Sequence, residues 1–252
     1  MKLLQIVDKS SWKQWNTSVW SVNLDFQNII NRFRGSHPCP TTPEIYYRLI
    51  LLFSRKYDMI SDIFCGTGTC GVVCKKIERN FLGIELNQEF VRLAKKNILK
   101  TQSQENTIQE VILSDIIEYK FKKNTIDFII TSPPYFNKIK YSDKSNDISN
   151  FQDYKDYLRK IKNAFLNAKI GLKKSKYIAI IIGDSQIGKK FIPVHSDFIR
   201  ILESIDLKLT HIWINHFPPN TKRKVGNRTI GFPNHLYLEF DHEYILVFKK
   251  ES

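Results

Sequence analysis

The sequence predicts an α/β protein: a Rossmann-like, doubly wound, mostly parallel seven-stranded sheet with an antiparallel carboxyl-terminal strand. Three observations carry this prediction. Short apolar runs alternate with helical patterns along most of the chain, which is the signature of a parallel sheet built from strand–helix–strand units. A glycine-rich turn joins the first run to the helix after it. The last two runs, 207–215 and 237–249, have no helix between them, so they form an antiparallel edge.

Each element has a local reason. Pro43-Glu44 opens a helix over 45–53, with proline in the first turn where its missing N–H is harmless. Residues 59–64 form the first strand, 70–78 a helix and 81–86 the second strand; Asn87 then caps a helix reaching residue 98. The third and fourth strands fall at 108–113 and 126–130. A polar loop occupies 136–150, a long helix 151–172, the fifth strand 177–183 and a further helix 195–205. Residues 1–36, with Trp12, Trp15 and Trp20, read as an irregular extension of a single domain spanning 1–252.

Composition narrows the class. With 42% hydrophobic and 25% charged residues, the 252-residue chain is ordinary for a globular protein with a sizeable core. The apolar stretch 178–182 is far too short to cross a bilayer, and the amino terminus has no long apolar signal region, so no membrane is expected. Cys39, Cys65, Cys70 and Cys74 lack metal-site spacing and read as reduced thiols in the cytoplasm. The net charge of +14 favours a polyanionic partner. No acidic residue occurs from 207 to 238, where Lys208, Lys222, Arg223, Lys224 and Arg228 fall.

Two motifs carry chemistry. Gly66-Thr67-Gly68-Thr69-Cys70-Gly71 follows the first strand and opens a helix, and Glu85 ends the second strand nineteen residues after Gly66. That spacing suits a dinucleotide, with Glu85 on the ribose hydroxyls. Asp62 argues against one, because a carboxylate at the strand end would repel a pyrophosphate. The same group pairs naturally with an ammonium. S-adenosylmethionine has a ribose, an adenine, a sulfonium and an ammonium, and no phosphate. Asp62 for the ammonium, Gly66 and Gly68 for close backbone approach, Glu85 for the ribose and Asp115 for the adenine amine form a matching set. The second motif, Ser132-Pro133-Pro134-Tyr135, ends the apolar run 126–130. It places a hydroxyl, a rigid carbonyl-bearing turn and an aromatic face where open sheets bind ligands, and suits a flat base with an exocyclic amine. A third pattern, 183–190, nearly spells a phosphate-binding loop. It ends in Lys190 where a magnesium-binding hydroxyl is required, and reads as a solvated turn.

With both motifs in place, the chain resembles the amino-group DNA methyltransferases, which modify cytosine N4 or adenine N6. His37, Pro38, Pro40, Pro43 and Glu44 look like the family's motif X. Asp62 to Thr69 look like motif I, Gly83-Ile84-Glu85 like motif II, Asp115 falls at motif III, and Ser132 to Tyr135 match motif IV. Ile63 and Cys70 depart from the usual proline and threonine. The resemblance implies S-adenosylmethionine bound by His37, Pro38, Pro43, Asp62, Phe64, Gly66, Gly68 and Thr69, and beyond the loop by Glu85, Leu86, Asp115 and Ile116. It implies no metal.

It also implies a mechanism. Ser132 Oγ and the Pro133 carbonyl accept the two amine hydrogens and aim the lone pair at the methyl group. Pro134 stiffens the turn, and Tyr135 stacks on a base flipped out of the duplex. No covalent cysteine intermediate is expected. Serine at the first tetrad position points to cytosine N4, with adenine N6 as the alternative; an RNA enzyme and a non-catalytic DNA-binding subunit rank lower. Two loops within the domain, 136–150 and 216–236, are candidates for DNA contact through Lys138, Lys140, Tyr141, Lys222, Arg223, Lys224 and Arg228. Double-stranded DNA is the expected partner. A homodimer and a cognate restriction endonuclease acting on the same site are the others this class allows.

Overall fold

The computed structural model describes residues 7–21, 41–136, 147–187, 190–217 and 240–251. In chain order the elements begin with α1 (Lys9–Trp15), β1 (Val19–Ser21), α2 (Pro43–Phe53), β2 (Met59–Asp62), α3 (Thr69–Lys76), β3 (Asn80–Glu85), α4 (Gln88–Leu99), β4 (Gln109–Leu113) and β5 (Ile126–Thr131). They continue with a 3₁₀ turn (Ile148–Asn150), α5 (Tyr154–Gly171), β6 (Leu172–Ile182), β7 (Ser185–Ile187), β8 (Lys190–Ile192), α6 (Val194–Glu203), β9 (Leu207–His216) and β10 (His242–Lys250).

The principal sheet has eight strands in the order β1-β9-β10-β6-β5-β2-β3-β4. Strands β4, β3, β2, β5 and β6 run parallel, and β10 enters antiparallel between β6 and β9. After β2 the chain builds outward through β3 and β4, then returns to place β5 on β2's other side. The strand order therefore reverses between β2 and β5, and the crevice at their carboxyl ends is where such sheets bind ligands.

Helices cover both faces. Residues of α1 to α4 join Ile60, Phe128, Ile130, Ala179 and Ile181 in one core; α5 and α6 join Ile129, Ile178, Ile180 and Ile182 in the other. Central strand β5 is consequently buried at every position, which explains its unbroken apolar run. Its one charge, Asp127, accepts from Lys173 Nζ at 2.8 Å and from the Met59 N–H at 3.1 Å.

The predicted fold class and element order hold, with corrections. The sheet has an eighth strand because residues 19–21 pair in parallel with 214–216. The described part of the extension, read as irregular, is folded as α1 and β1. Asp8 caps α1, accepting the Ser10 and Ser11 N–H groups. Arg48 of α2 lies between the Trp15 and Trp20 rings, 5.5 and 5.3 Å from their centroids, and pairs with Glu44. These contacts are long-range, so no local periodicity announced them. Segment 183–190 is not a simple turn: β7 and β8 form an antiparallel ribbon.

Candidate active site

A cleft of about 930 Å³, open to solvent, lies over the carboxyl ends of β2, β3, β4 and β5. Its walls come from the loop after each strand. After β2 the chain turns through Gly66 and Gly68 with φ of +51° and +83°. At Gly68 a Cβ would stand 2.8 Å from the Ala94 Cβ, so glycine is required both for the left-handed backbone and for the close approach of α3 to α4. Glu85, at the end of β3, clasps this loop. Its Oε2 accepts the Gly66 N–H and its Oε1 the Asn87 N–H, each at 2.8 Å. The Leu86 N–H also turns to this carboxylate, which has about four acceptor sites, so capacity is left for a hydroxyl from the cleft. Burial raises the Glu85 pKa, and the backbone N–H groups oppose the rise.

Asp62 takes a different place from the one its position suggested. It is 1% exposed and lies beneath the cleft instead of on its wall. Its Oδ1 accepts the Thr131 hydroxyl at 2.6 Å and the Phe64 N–H at 3.2 Å; the Tyr46 hydroxyl lies 3.4 Å from Oδ2. One carboxylate thus ties the glycine loop after β2 to the strand that carries the tetrad. Burial is the main reason its pKa rises to about 7, with Glu85 adding to the rise and the hydrogen bonds from Thr131 and Phe64 opposing it.

Ser132, Pro133, Pro134 and Tyr135 all line the cleft, beside the cofactor loops. The buried Tyr157 of α5 donates its hydroxyl to the Pro134 carbonyl at 3.0 Å, fixing the turn from behind. Among the described residues none bonds to the Ser132 hydroxyl or the Pro133 carbonyl, so both acceptors face the cleft uncommitted. Phe64, Gly66, Thr69, Glu85, Leu86, Asp115 and Ile116 also reach it. Gly68 and Pro43 act one layer back: Gly68 starts α3, and Pro43 is buried in the first turn of α2.

Some of the wall was not foreseen. Thr41, Tyr46, Asn87, Phe90, Ser114, Asp147 and Ile148 contribute. Asp147 closes a segment read as a DNA-contacting loop, yet it faces the cofactor side, near enough to raise the Glu85 pKa. Tyr46 carried a signal, since it follows the Pro43-Glu44 helix start by one turn. His37, Pro38, Lys138, Lys140, Tyr141, Lys222, Arg223, Lys224 and Arg228 lie outside the described residues.

The switch-point cleft, with its glycine loop and the acid that ends β3, and with no cationic side chain among the described residues that line it, is that of a class I S-adenosylmethionine-dependent methyltransferase fold. Solved structures agree on the fold. A SAM-dependent methyltransferase from Methanosarcina mazei superposes with a TM-score of 0.55 at 13% identity, covering 81% of this chain and 97% of that one. A methyltransferase from Bacillus halodurans gives 0.56 at 10% identity, over 83% and 100%.

The sequence profile of the N6/N4 DNA methylases matches residues 4–96 and 126–252, and the chain belongs to that family. Its cofactor is S-adenosylmethionine. Among curated relatives, the type II methyltransferase M2.LlaDCHI of Lactococcus lactis subsp. cremoris is 37% identical over 82 residues, 32% of this chain and 30% of that protein. M.HinfI of Haemophilus influenzae is 32% identical over 127 residues, 48% of this chain and 35% of its own length. The chain thus spans about a third of the curated relatives it matches.

Proposed function

We propose that the protein transfers a methyl group to the exocyclic N4 amine of cytosine in duplex DNA, after flipping the base and without a covalent intermediate. One observation carries this reading. The tetrad Ser132 to Tyr135 sits against the cofactor cleft with the Ser132 hydroxyl and Pro133 carbonyl uncommitted, in a chain of the DNA methylase family. S-adenosylmethionine supplies an electrophilic methyl group on sulfur. The protein's task is to make a poor nucleophile attack it. An exocyclic amine delocalises its lone pair into the ring; two acceptors on its hydrogens hold nitrogen pyramidal and aim that pair. The Tyr157–Pro134 bond and the Asp62–Thr131 bond keep both acceptors in register with the cofactor loop. Tyr135 supplies the stacking face.

The single domain 1–252 holds this site, and the basic segment within 216–236 tracks the phosphate backbone. The proposal places the protein in the cytoplasm; no helix among the described residues is long and apolar enough to cross a membrane. A homodimer and a cognate endonuclease belong to the same proposal. The test is to incubate the protein with labelled S-adenosylmethionine and varied DNA, then identify the modified nucleoside. N4-methylcytosine supports the reading; N6-methyladenine overturns the target base and keeps the site; absence of transfer to any DNA overturns DNA as substrate.

A further inference from the structure

The cleft orders its groups by strand. Asp115 follows β4, Glu85 ends β3, the glycine loop follows β2 and the tetrad follows β5, and these strands neighbour one another in that order. With Asp115 and Glu85 directed to adenine and ribose, and the tetrad to the amine, connectivity locates the sulfur of S-adenosylmethionine. It is bonded to the ribose and carries the methyl group, so it belongs between Glu85 and the tetrad. One acid on the wall has no part in this assignment. Asp147 lines the same cleft and is 5% exposed.

Two relations hold Asp147 in that stretch. On one side its charge is close enough to Glu85 to raise that acid's pKa. On the other, the 3₁₀ turn it caps packs against α5, the helix whose Tyr157 holds the Pro134 carbonyl. The ring of Phe136, the residue after the tetrad, lies 5.4 Å from that of Tyr157. Asp147 Oδ1 accepts the Ser149 N–H at 2.9 Å and the Ser149 hydroxyl at 2.7 Å. Capping explains a short acceptor here but not a charge, since asparagine caps a turn as well as aspartate does. The charge has another consequence. Glu85, Asp115 and Asp147 line one cleft, and none of the described residues on its wall is cationic. Like charges gathered in a partly buried cleft are costly to keep ionised unless a cation joins them.

We propose that Asp147 is a further cofactor-binding residue, whose negative charge faces the sulfonium of S-adenosylmethionine and selects it over the thioether left after transfer. As the amine lone pair forms the N–CH₃ bond, the electrons of the S–CH₃ bond stay on sulfur. The positive charge passes to nitrogen, which releases a proton to water, and the product's sulfur is neutral. Adenine, ribose and ammonium are the same in cofactor and product, so only a group that senses the charge on sulfur tells them apart. Asp147 thereby favours exchange of spent product for fresh cofactor. This placement rests on the reading of the tetrad as the seat of the acceptor amine.

The test is titration calorimetry of the full chain, without DNA, against S-adenosylmethionine and S-adenosylhomocysteine, for wild type, Asp147→Asn and Asp147→Ser. Both substitutions keep a capping oxygen and lose the charge, and thermal unfolding without ligand checks that each variant is folded. Expected is about a tenfold loss of affinity for S-adenosylmethionine and a change within about twofold for S-adenosylhomocysteine. An analogue with a protonated amine in place of the sulfonium should weaken as the cofactor does. Equal weakening of all three puts Asp147 at a group they share, such as the ammonium, and overturns the proposal. Unchanged affinities overturn it as well, and if neither variant folds, Asp147 is a structural cap and the proposal falls. No DNA enters these titrations, so their outcome is separate from the reading of the tetrad, which falls if wild type methylates no DNA.

Discussion

Asp62 links stability to pH in a calculable way. Burial raises its pKa from 3.8 to about 7, so between those values the folded protein holds a proton that the unfolded chain has released. Folding then binds more protons than unfolding, and stability falls as pH rises through this window, levelling off above about 7. At roughly 1.4 kcal/mol for each pH unit separating the two ionisations, the full effect is about 4 kcal/mol, and about 2.5 kcal/mol of it falls between pH 5 and 8. Asp62→Asn keeps an acceptor for Thr131 but cannot ionise. The measurement is urea unfolding of both proteins at pH 5, 6, 7 and 8, without cofactor. The variant should gain on the wild type by about 2.5 kcal/mol across that range. A constant difference, or one that shrinks with pH, refutes the assignment of a buried, proton-holding Asp62. Because the cofactor is cationic, its binding near pH 7 should release a proton in the wild type and none in Asp62→Asn, read from titration calorimetry in buffers of different ionisation enthalpy.

Other outcomes follow from single contacts. Ser132→Ala should slow single-turnover methyl transfer by about 10²-fold with cofactor affinity unchanged, since it removes an acceptor that acts on the reacting amine. Gly68→Ala forces a Cβ into the left-handed region and against Ala94; it should destabilise by about 3 kcal/mol, seen in thermal or urea unfolding. Tyr157→Phe leaves the Pro134 carbonyl unpaired and should cost about 1–2 kcal/mol, and lower turnover more than cofactor affinity. Replacing Lys222, Arg223 and Lys224 with alanine should flatten the log–log salt dependence of DNA binding by about 2 to 3, while cofactor affinity is untouched.

The sequence by itself determined the strand–helix alternation, the glycine loop, the tetrad and the acid ending β3. These are local: a positive φ needs glycine, a buried central strand reads as an unbroken apolar run, and the helix after β3 starts at its capping Asn87. It could not show that Asp62 lies beneath the cleft, because alternation along a strand gives a side but not a depth. Residues 9–21 looked irregular because their order depends on Arg48 and on β9, which lies almost two hundred residues away in the chain. Nor could spacing place Asp147 on the cleft wall or join Asp184 to His195 across the β7–β8 ribbon. Asp147 reaches the cleft only when distant strand ends converge at the reversal between β2 and β5, and Asp184 meets His195 only when the ribbon folds back beyond β6; both arrangements are set by packing and not by any local run of residues.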